Sequence, residues 1–515
     1  MKFGRLALFA ETEAISLHAC FDHRSDPRKV TMTHAQSPLV VTRRRLLKSA
    51  SLGMGSLALA SLLHREGSSD DLPIASEAAL PAPHFTPRVK SVIFLFMEGA
   101  VSQVDSFDYK PSLEKYDGQD PHEVIGKLEK TQFAAIGKVM RSPWKFQQCG
   151  ESGLWASSLF PHMAGMDGHR GIMDDICVVR SMTSRFPEHT SANYFLHSGV
   201  GLQGRPSMGS WVTYGLGSRN ENLPGYIVLN GGQIPSGGLD NFSNGFLPAI
   251  YQGSLLNAIG PPLANVLPNE KVADLQPAKR QLVRLLNEES LRLSGGDDAL
   301  ESAIANYELA ARMQTAIPDL MDLSQESQAT QSFYGVDSAN VHTQTYARQC
   351  IIARRLVEQG VRFVECTIPS IFGFGRWDAH GNLKQNHGQN ALAVDQPIAA
   401  LLQDLKQRGL FDETLVVWSG EFGRTPFAQG SDGRDHNEHG FSLWLAGGGV
   451  KPGIAYGETD MWGYKAIRDR LEMHDLHATI MHLLGIDHTK LTFRFSGRDI
   501  RLTDVYGRVI EEILS

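Results

Sequence analysis

Apolar residues follow two patterns along this chain. Short unbroken runs occur at 91–97 (Ser-Val-Ile-Phe-Leu-Phe-Met), 226–229, 361–366, 414–418 and 441–446. A run without polar alternation predicts a strand covered on both faces, as in a parallel sheet. Between the runs, apolar positions recur at helical spacing over 271–293, 299–315, 341–359, 390–408 and 473–484. Gly409 and Gly485 stand where helix C-terminal caps belong. Strands alternating with helices predict an α/β fold, a doubly wound and mostly parallel sheet with helices on both faces. The block from about 270 to 340 lacks strand signals, so it is expected as a helical insertion packed over the sheet or its mouth. No internal repeat is present.

Composition narrows this picture. The 515 residues are 42% hydrophobic and 20% charged, which is ordinary for a globular protein and argues against disorder. The net charge is −7 and the one arginine run is 43–45, so no basic surface for nucleic acid is expected. That run reads instead as an export signal. Thr42-Arg-Arg-Arg-Leu-Leu-Lys48 resembles the twin-arginine pattern S/T-R-R-x-F-L-K, with Leu46 at the usual phenylalanine. An apolar stretch over about 49–63 follows, with Ala58-Leu-Ala60 as a cleavage motif, and it is too short to span a membrane. Residues 1–63 are therefore expected to form the signal region and 64–87, rich in Pro, Ser and Ala, a linker. Translation is expected to start at Met32, ten residues before Thr42, with 1–31 outside the product. The mature chain is expected in the periplasm or outside the cell, with the twin-arginine translocase as a transient partner and no integral span. Of the five cysteines, Cys149, Cys177, Cys350 and Cys366 lie beyond the signal, with no C-x-x-C spacing. This supports neither a zinc thiolate site nor a disulfide framework.

Chemistry concentrates where strands end. The first strand leads into Glu98, Asp105 and Asp108, the third into Asp378-Ala-His380 with His387 nearby, and the fourth into Glu421-Phe-Gly-Arg424. Asp435, His436 and His439 follow. Carboxylates with imidazoles are donors for a divalent metal such as zinc, calcium, magnesium or manganese. Loops at the carboxyl ends of parallel strands are where such folds build sites. Asp105, Asp378, His380, His387, Glu421, Asp435, His436 and His439 are thus candidate ligands. Thr183, Ser184 and His189 follow the run 176–179 and offer hydroxyls and an imidazole for nucleophilic chemistry, with Thr190 and Ser191 as further hydroxyls. Arg424 or Arg185 suits an oxyanion clamp. His474 and His477, at helical spacing, read as structural histidines.

Several ordered segments carry a family resemblance. They are 93–111 (Ile-Phe-Leu-Phe-Met through Asp-Tyr-Lys-Pro), 407–426 (Gln-Arg-Gly-Leu-Phe-Asp through Glu-Phe-Gly-Arg-Thr-Pro), 433–436, 446–450, 475–479 and 497–504. Together they resemble the exported bacterial domain-of-unknown-function family 1501 over about 88–515. That family in turn looks like the alkaline phosphatase and sulfatase superfamily, which implies a one- or two-metal site at the strand ends and hydrolysis of phosphate or sulfate esters. The resemblance implies that Glu421, Asp378 with His380 or His387, and His436 or His439 hold metal, and that 183–189 is the nucleophile region. Arg185 stands at the aligned threonine of that region. The sulfatase motif C-x-P/A-x-R surrounds none of the cysteines. The expectation is an exported metal-dependent hydrolase of small-molecule or polysaccharide esters. The alternative is a non-catalytic, metal-retaining binding or envelope-associated protein of the same fold.

Overall fold

The computed structural model describes residues 81–130, 135–263, 275–295, 298–371 and 376–515. They fall within one compact unit, Ala79–Ser515. The expected signal region 1–63 and linker residues 64–80 lie outside the described residues, as do residues 264–269 and parts of the helical block (270–274, 296–297).

The core is a nine-stranded sheet. In chain order its strands are β1 (Ser91–Phe96), β2 (Ile176–Thr183), β3 (Tyr226–Asn230), β4 (Ser254–Asn257), β5 (Phe363–Thr367), β6 (Thr414–Ser419), β7 (Phe441–Gly447), β8 (Ile454–Tyr456) and β9 (Leu471–Glu472). Their spatial order is β8-β2-β7-β6-β1-β5-β3-β4, with β9 also paired to β2. The block β6-β1-β5-β3-β4 is parallel throughout. β7 runs antiparallel to both β6 and β2, and β8 and β9 run parallel to β2. One reversed strand in nine leaves the sheet mostly parallel, as the unbroken apolar runs predict.

Both faces are covered. Ile93 and Leu95 of β1 pack with Val416 and Trp418 under helices α5 (Val341–Glu358) and α6 (Leu383–Gln407), while Val92, Phe94 and Phe96 face the other way. There they meet α1 (His189–Ser198), α2 (Met208–Leu216) and α7 (Met473–Leu483) through Phe195, Trp211 and Leu476. Alternate residues of one strand thus enter two different cores, which is why its sequence shows no polar alternation.

Several elements escape the sequence pattern, α1, α2 and β4 among them. α1 carries Thr, Ser, Asn and two His in ten residues, α2 contains two glycines, and β4 is four residues long. Of the two placements open to the helical block, over the sheet or over its mouth, the described part takes the first. Met313, Ile317 and Leu320 of α4 (Asp298–Met321; α3 is Leu275–Ser294) join the α5–α6 core, and α4 lies against Ala249–Tyr251. Its apolar stripe draws it onto the flank of the sheet beside α5 and not over the mouth. Cys149, Cys177, Cys350 and Cys366 are all buried free thiols.

One polar cluster interrupts the apolar packing. His197 near the end of α1 contacts Glu365 of β5 (Nε2···Oε1 2.8 Å), and Tyr226 of β3 donates to the other carboxylate oxygen at 2.8 Å. All three are at most 2% exposed, among Phe94, Phe96 and Phe242. Burial works against a charge on His197, yet Glu365 raises its pKa above the ordinary value. The pair pins α1 to the sheet. His197→Ala would strand a buried carboxylate, so it is expected to lower unfolding free energy by about 3–5 kcal/mol in urea titrations. A loss below about 1 kcal/mol would show that Glu365 needs no cationic partner.

Candidate metal centre

The carboxyl ends of the parallel strands meet at one edge. β1 runs into Glu98 and Gly99, β5 into the loop bearing Asp378 and His380, β6 into Glu421, and β2 into the turn that opens α1 at His189. Gly99 is what permits the convergence. Its φ is +99°, and a Cβ there would stand 2.6 Å from the Trp377 nitrogen and 2.7 Å from that of Asp378. The remaining residues come from a hairpin, Gly423–Gln429 with Gly433–Asn437, edged by Ile136–Val139. Arg424, Asp435 and His436, expected in loops, therefore lie on strands, with Arg424 directly paired to His436. These strands are buried although polar.

Asp378 is the hub. Its Oδ1 lies 3.0 Å from His380 Nε2, 3.3 Å from His436 Nε2 and 2.9 Å from Arg424 Nη2, and its Oδ2 lies 3.4 Å from His189 Nε2. Burial opposes ionisation of Asp378, but its bonds to His189, His380 and His436 and the Arg424 charge hold its pKa far below the carboxylate range. His189, Asp378 and His436 form one group able to hold a metal ion, and His380, Asp435 and His436 a second.

The outer ring nitrogens fix which atom each histidine offers. His189 Nδ1 meets Glu421 Oε1 at 2.6 Å, His436 Nδ1 meets the Pro187 carbonyl at 2.6 Å, and His380 Nδ1 meets the Gln429 side-chain oxygen. These partners accept, so each Nδ1 carries the hydrogen and each Nε2 turns toward Asp378. Carboxylate or carbonyl behind imidazole is the usual support of a histidine ligand. Burial pushes the His436 pKa down to about 4, so at neutral pH its bare Nε2 faces a carboxylate oxygen. Two acceptors then confront each other, an arrangement that a cation between them satisfies. For His189 burial also lowers the pKa, but Asp378 and Glu421 outweigh it and bring it up to about 9. Its buried Nε2 faces Asp378 Oδ2 at 3.4 Å.

The surrounding residues hold this arrangement. Glu421, fully buried, also accepts the Gly99 N–H at 3.0 Å, which places it behind His189. Glu98 accepts the Ser236 N–H at 2.6 Å and pairs with Arg376 at 3.1 Å. Burial, with Glu421 nearby, pushes the Glu98 pKa up to about 7. Arg424 is wholly enclosed and donates to the carbonyls of Gly99, Ala100, Trp377 and Arg434 as well as to Asp378. It orients Asp378, and its enclosure separates it from the oxyanion-clamp role expected from sequence.

Other candidates lie elsewhere. Asp105 forms a bidentate, fully buried pair with Arg434 (2.7 and 3.2 Å) and accepts from Ser102 at 2.5 Å, so its oxygens serve the hairpin and not the cluster. Asp108 pairs with Lys110 at 3.0 Å. His387 sits on α6, and its Nε2 accepts the Ser102 N–H at 3.1 Å. Burial takes its pKa down to about 3, so it is a neutral acceptor inside the wall. His439 lies beside Glu438 and Tyr464, outside both metal-holding groups. Thr183 donates to the Leu471 carbonyl at 2.8 Å, the Ser184 hydroxyl lies 3.5 Å from the Phe186 N–H, and Arg185 is held by Glu472 and the Tyr506 ring. Glu188 caps the Thr190 and Ser191 N–H groups of α1. His474 and His477 donate from Nε2 to the Gly199 and Leu196 carbonyls at 2.8 and 2.7 Å, the structural placement that their spacing suggests. Gln429 and the Pro187 carbonyl carried no sequence signal, because only the fold brings them behind the rings.

The chain belongs to the family described as "Protein of unknown function (DUF1501)", whose model matches residues 89–514. Among solved structures it is similar to the lipoteichoic acid synthase from Listeria monocytogenes, at 9% identity and a TM-score of 0.36, covering 81% of this chain and 76% of that one. The phosphonate monoester hydrolase from Silicibacter pomeroyi gives 11% and 0.34 over 77% and 73%. The alkaline phosphatase from the Antarctic bacterium TAB5 gives 11% and 0.33 over 78% and 98%. No curated protein sequence matches.

Asp105 and Asp378 invite separation by experiment. Asp105→Ala is expected to lower unfolding free energy by about 3–5 kcal/mol in urea while the folded protein keeps the wild-type divalent metal content. Elemental analysis showing metal lost from a folded Asp105→Ala protein would put Asp105 back among the ligands.

Proposed function

We propose that this protein is an exported, metal-dependent hydrolase of phosphate or sulfate esters. The observation that carries the reading is the convergence of the His189, His380 and His436 Nε2 atoms on Asp378, each ring backed at Nδ1 by an acceptor. His189, Asp378 and His436, with His380 and Asp435 beside them, would hold a divalent cation, which would supply Lewis-acid polarisation of an ester oxygen. The imidazole-rich donor set favours zinc over calcium, magnesium or manganese. Glu421 keeps His189 in one tautomer, Arg424 holds Asp378, and the buried hairpin wall keeps water from one side. The substrate is an ester of a small molecule or a polysaccharide, and the twin-arginine translocase carries the folded chain out of the cytoplasm. Among the described residues no helix is long and apolar enough to cross a membrane.

A second reading, a metal-retaining binding protein without turnover, has its own support. Arg424 is wholly engaged, and the Thr183 hydroxyl is turned to the Leu471 carbonyl. Under the hydrolytic reading the cation must therefore supply most of the stabilisation for an anionic oxygen.

Elemental analysis of the purified mature protein is expected to find bound divalent metal, and His436→Ala to lose it. Glu421→Gln should weaken metal affinity about 10–100-fold, because the carboxylate acts through His189. Wild-type protein free of divalent metal after metal-supplemented expression would sink both readings. Metal retained without turnover of phosphate monoesters, phosphodiesters and sulfate esters would leave the binding reading standing.

A further inference from the structure

The loop that carries the hub alternates in burial. Trp377 and Ala379 are buried, at 0% and 1% exposure, whereas the side chains of Arg376, Asp378 and His380 are 32%, 30% and 27% exposed. Trp377 belongs to the apolar core under the sheet, so its neighbours turn the other way. Arg376 therefore comes to the same open side as Asp378 and His380. Two residues of chain separate its Cα from that of Asp378 by at most about 7 Å. Arg424, by contrast, is 0% exposed, and Arg185 is held by Glu472 and the Tyr506 ring.

Arg376 is set in a built frame. Its carbonyl accepts from the Asn386 and Asn390 side chains of α6 at 2.9 and 3.3 Å, and the next N–H, of Trp377, donates to the Glu98 carbonyl at 3.1 Å. Its Nε pairs with Glu98 Oε2 at 3.1 Å, its Nη1 donates to the Ser236 hydroxyl at 2.6 Å, and its Nη2 donates to the Ile234 carbonyl at 3.3 Å. Ser236 is fixed in turn. Its N–H donates to Glu98, and its carbonyl accepts from the buried Asn193 and Asn241 side chains at 3.1 and 2.9 Å. Glu98 immediately precedes Gly99, whose N–H donates to Glu421, the acceptor behind His189. Arg376 is thus joined to the His189 flank of the hub through Glu98 and Glu421. A partly exposed cation already held in one orientation loses little freedom when an anion arrives. Its planar fork suits two oxygens of a tetrahedral oxyanion.

We propose that Arg376 binds the anionic oxygens of the ester at this centre, taking the clamp role from which enclosure separates Arg424. The proposal rests on the metal-ester reading above. Inorganic phosphate is the probe, titrated calorimetrically into the zinc-loaded mature protein. Wild type is expected to bind it. Arg376→Gln keeps a hydrogen-bonding side chain and loses the charge, and is expected to bind phosphate about 10–100-fold more weakly with zinc content unchanged. Arg376→Lys restores the charge without the fork, so its affinity is expected to fall between those of Arg376→Gln and wild type. Wild-type affinity in folded Arg376→Gln overturns the proposal while leaving the metal centre intact. Loss of zinc together with phosphate in that variant overturns it as well, since the residue then acts through the metal site. Failure of the wild-type protein to bind phosphate also overturns it, and the zinc content of the same sample decides whether the metal reading falls with it.

Discussion

The carboxylate of Asp378 is the point on which the rest of this structure converges. Four nitrogens approach it within 2.9–3.4 Å, three from imidazoles and one from a buried guanidinium. At neutral pH the bare Nε2 of His436 brings a lone pair to the lone pairs of this carboxylate, while, against burial, Asp378 and Glu421 raise the pKa of His189 to about 9. The arrangement is balanced by protonating the rings or by placing a cation among them. For His436 protonation is disfavoured by burial. The electrostatics of the hub thus suit the metal site proposed above.

The fold exists to hold that hub. Parallel strands bring their carboxyl ends to a common edge, and β1, β5, β6 and β2 each deliver one part of the cluster or its support. Gly99 lets the end of β1 touch the Asp378 backbone, and the Glu365–His197 pair anchors α1, whose first residue is His189. The Asp105–Arg434 pair ties the hairpin to the first loop and so holds His436 in place. Buried charge is costly to desolvate, so these pairs fit a role in geometry better than one in net stability.

Much of this was legible in the sequence for a physical reason. Unbroken apolar runs need cover on both faces, and that alone predicts a parallel sheet, helices on either side and a site at the strand ends. Asp378, His380 and His436 were readable because acids and imidazoles seldom cluster after buried strands without purpose. Asp105 and His387 looked equivalent from sequence and are not, because their partners Arg434 and Ser102 lie 329 and 285 residues away. Arg424 reads as a clamp until five backbone and side-chain acceptors close around it. The hairpin was hidden because its inward residues are polar, which reverses the pattern by which strands are recognised.

The most direct test of this account is anomalous diffraction from crystals of the protein soaked in zinc or manganese, recorded at the metal edge. The account predicts a peak beside Asp378, at coordination distance of about 2.0–2.2 Å from its carboxylate and from Nε2 of His189 and His436. Absence of a peak there, or a peak held by Asp105, His387 or His439 instead, would contradict it.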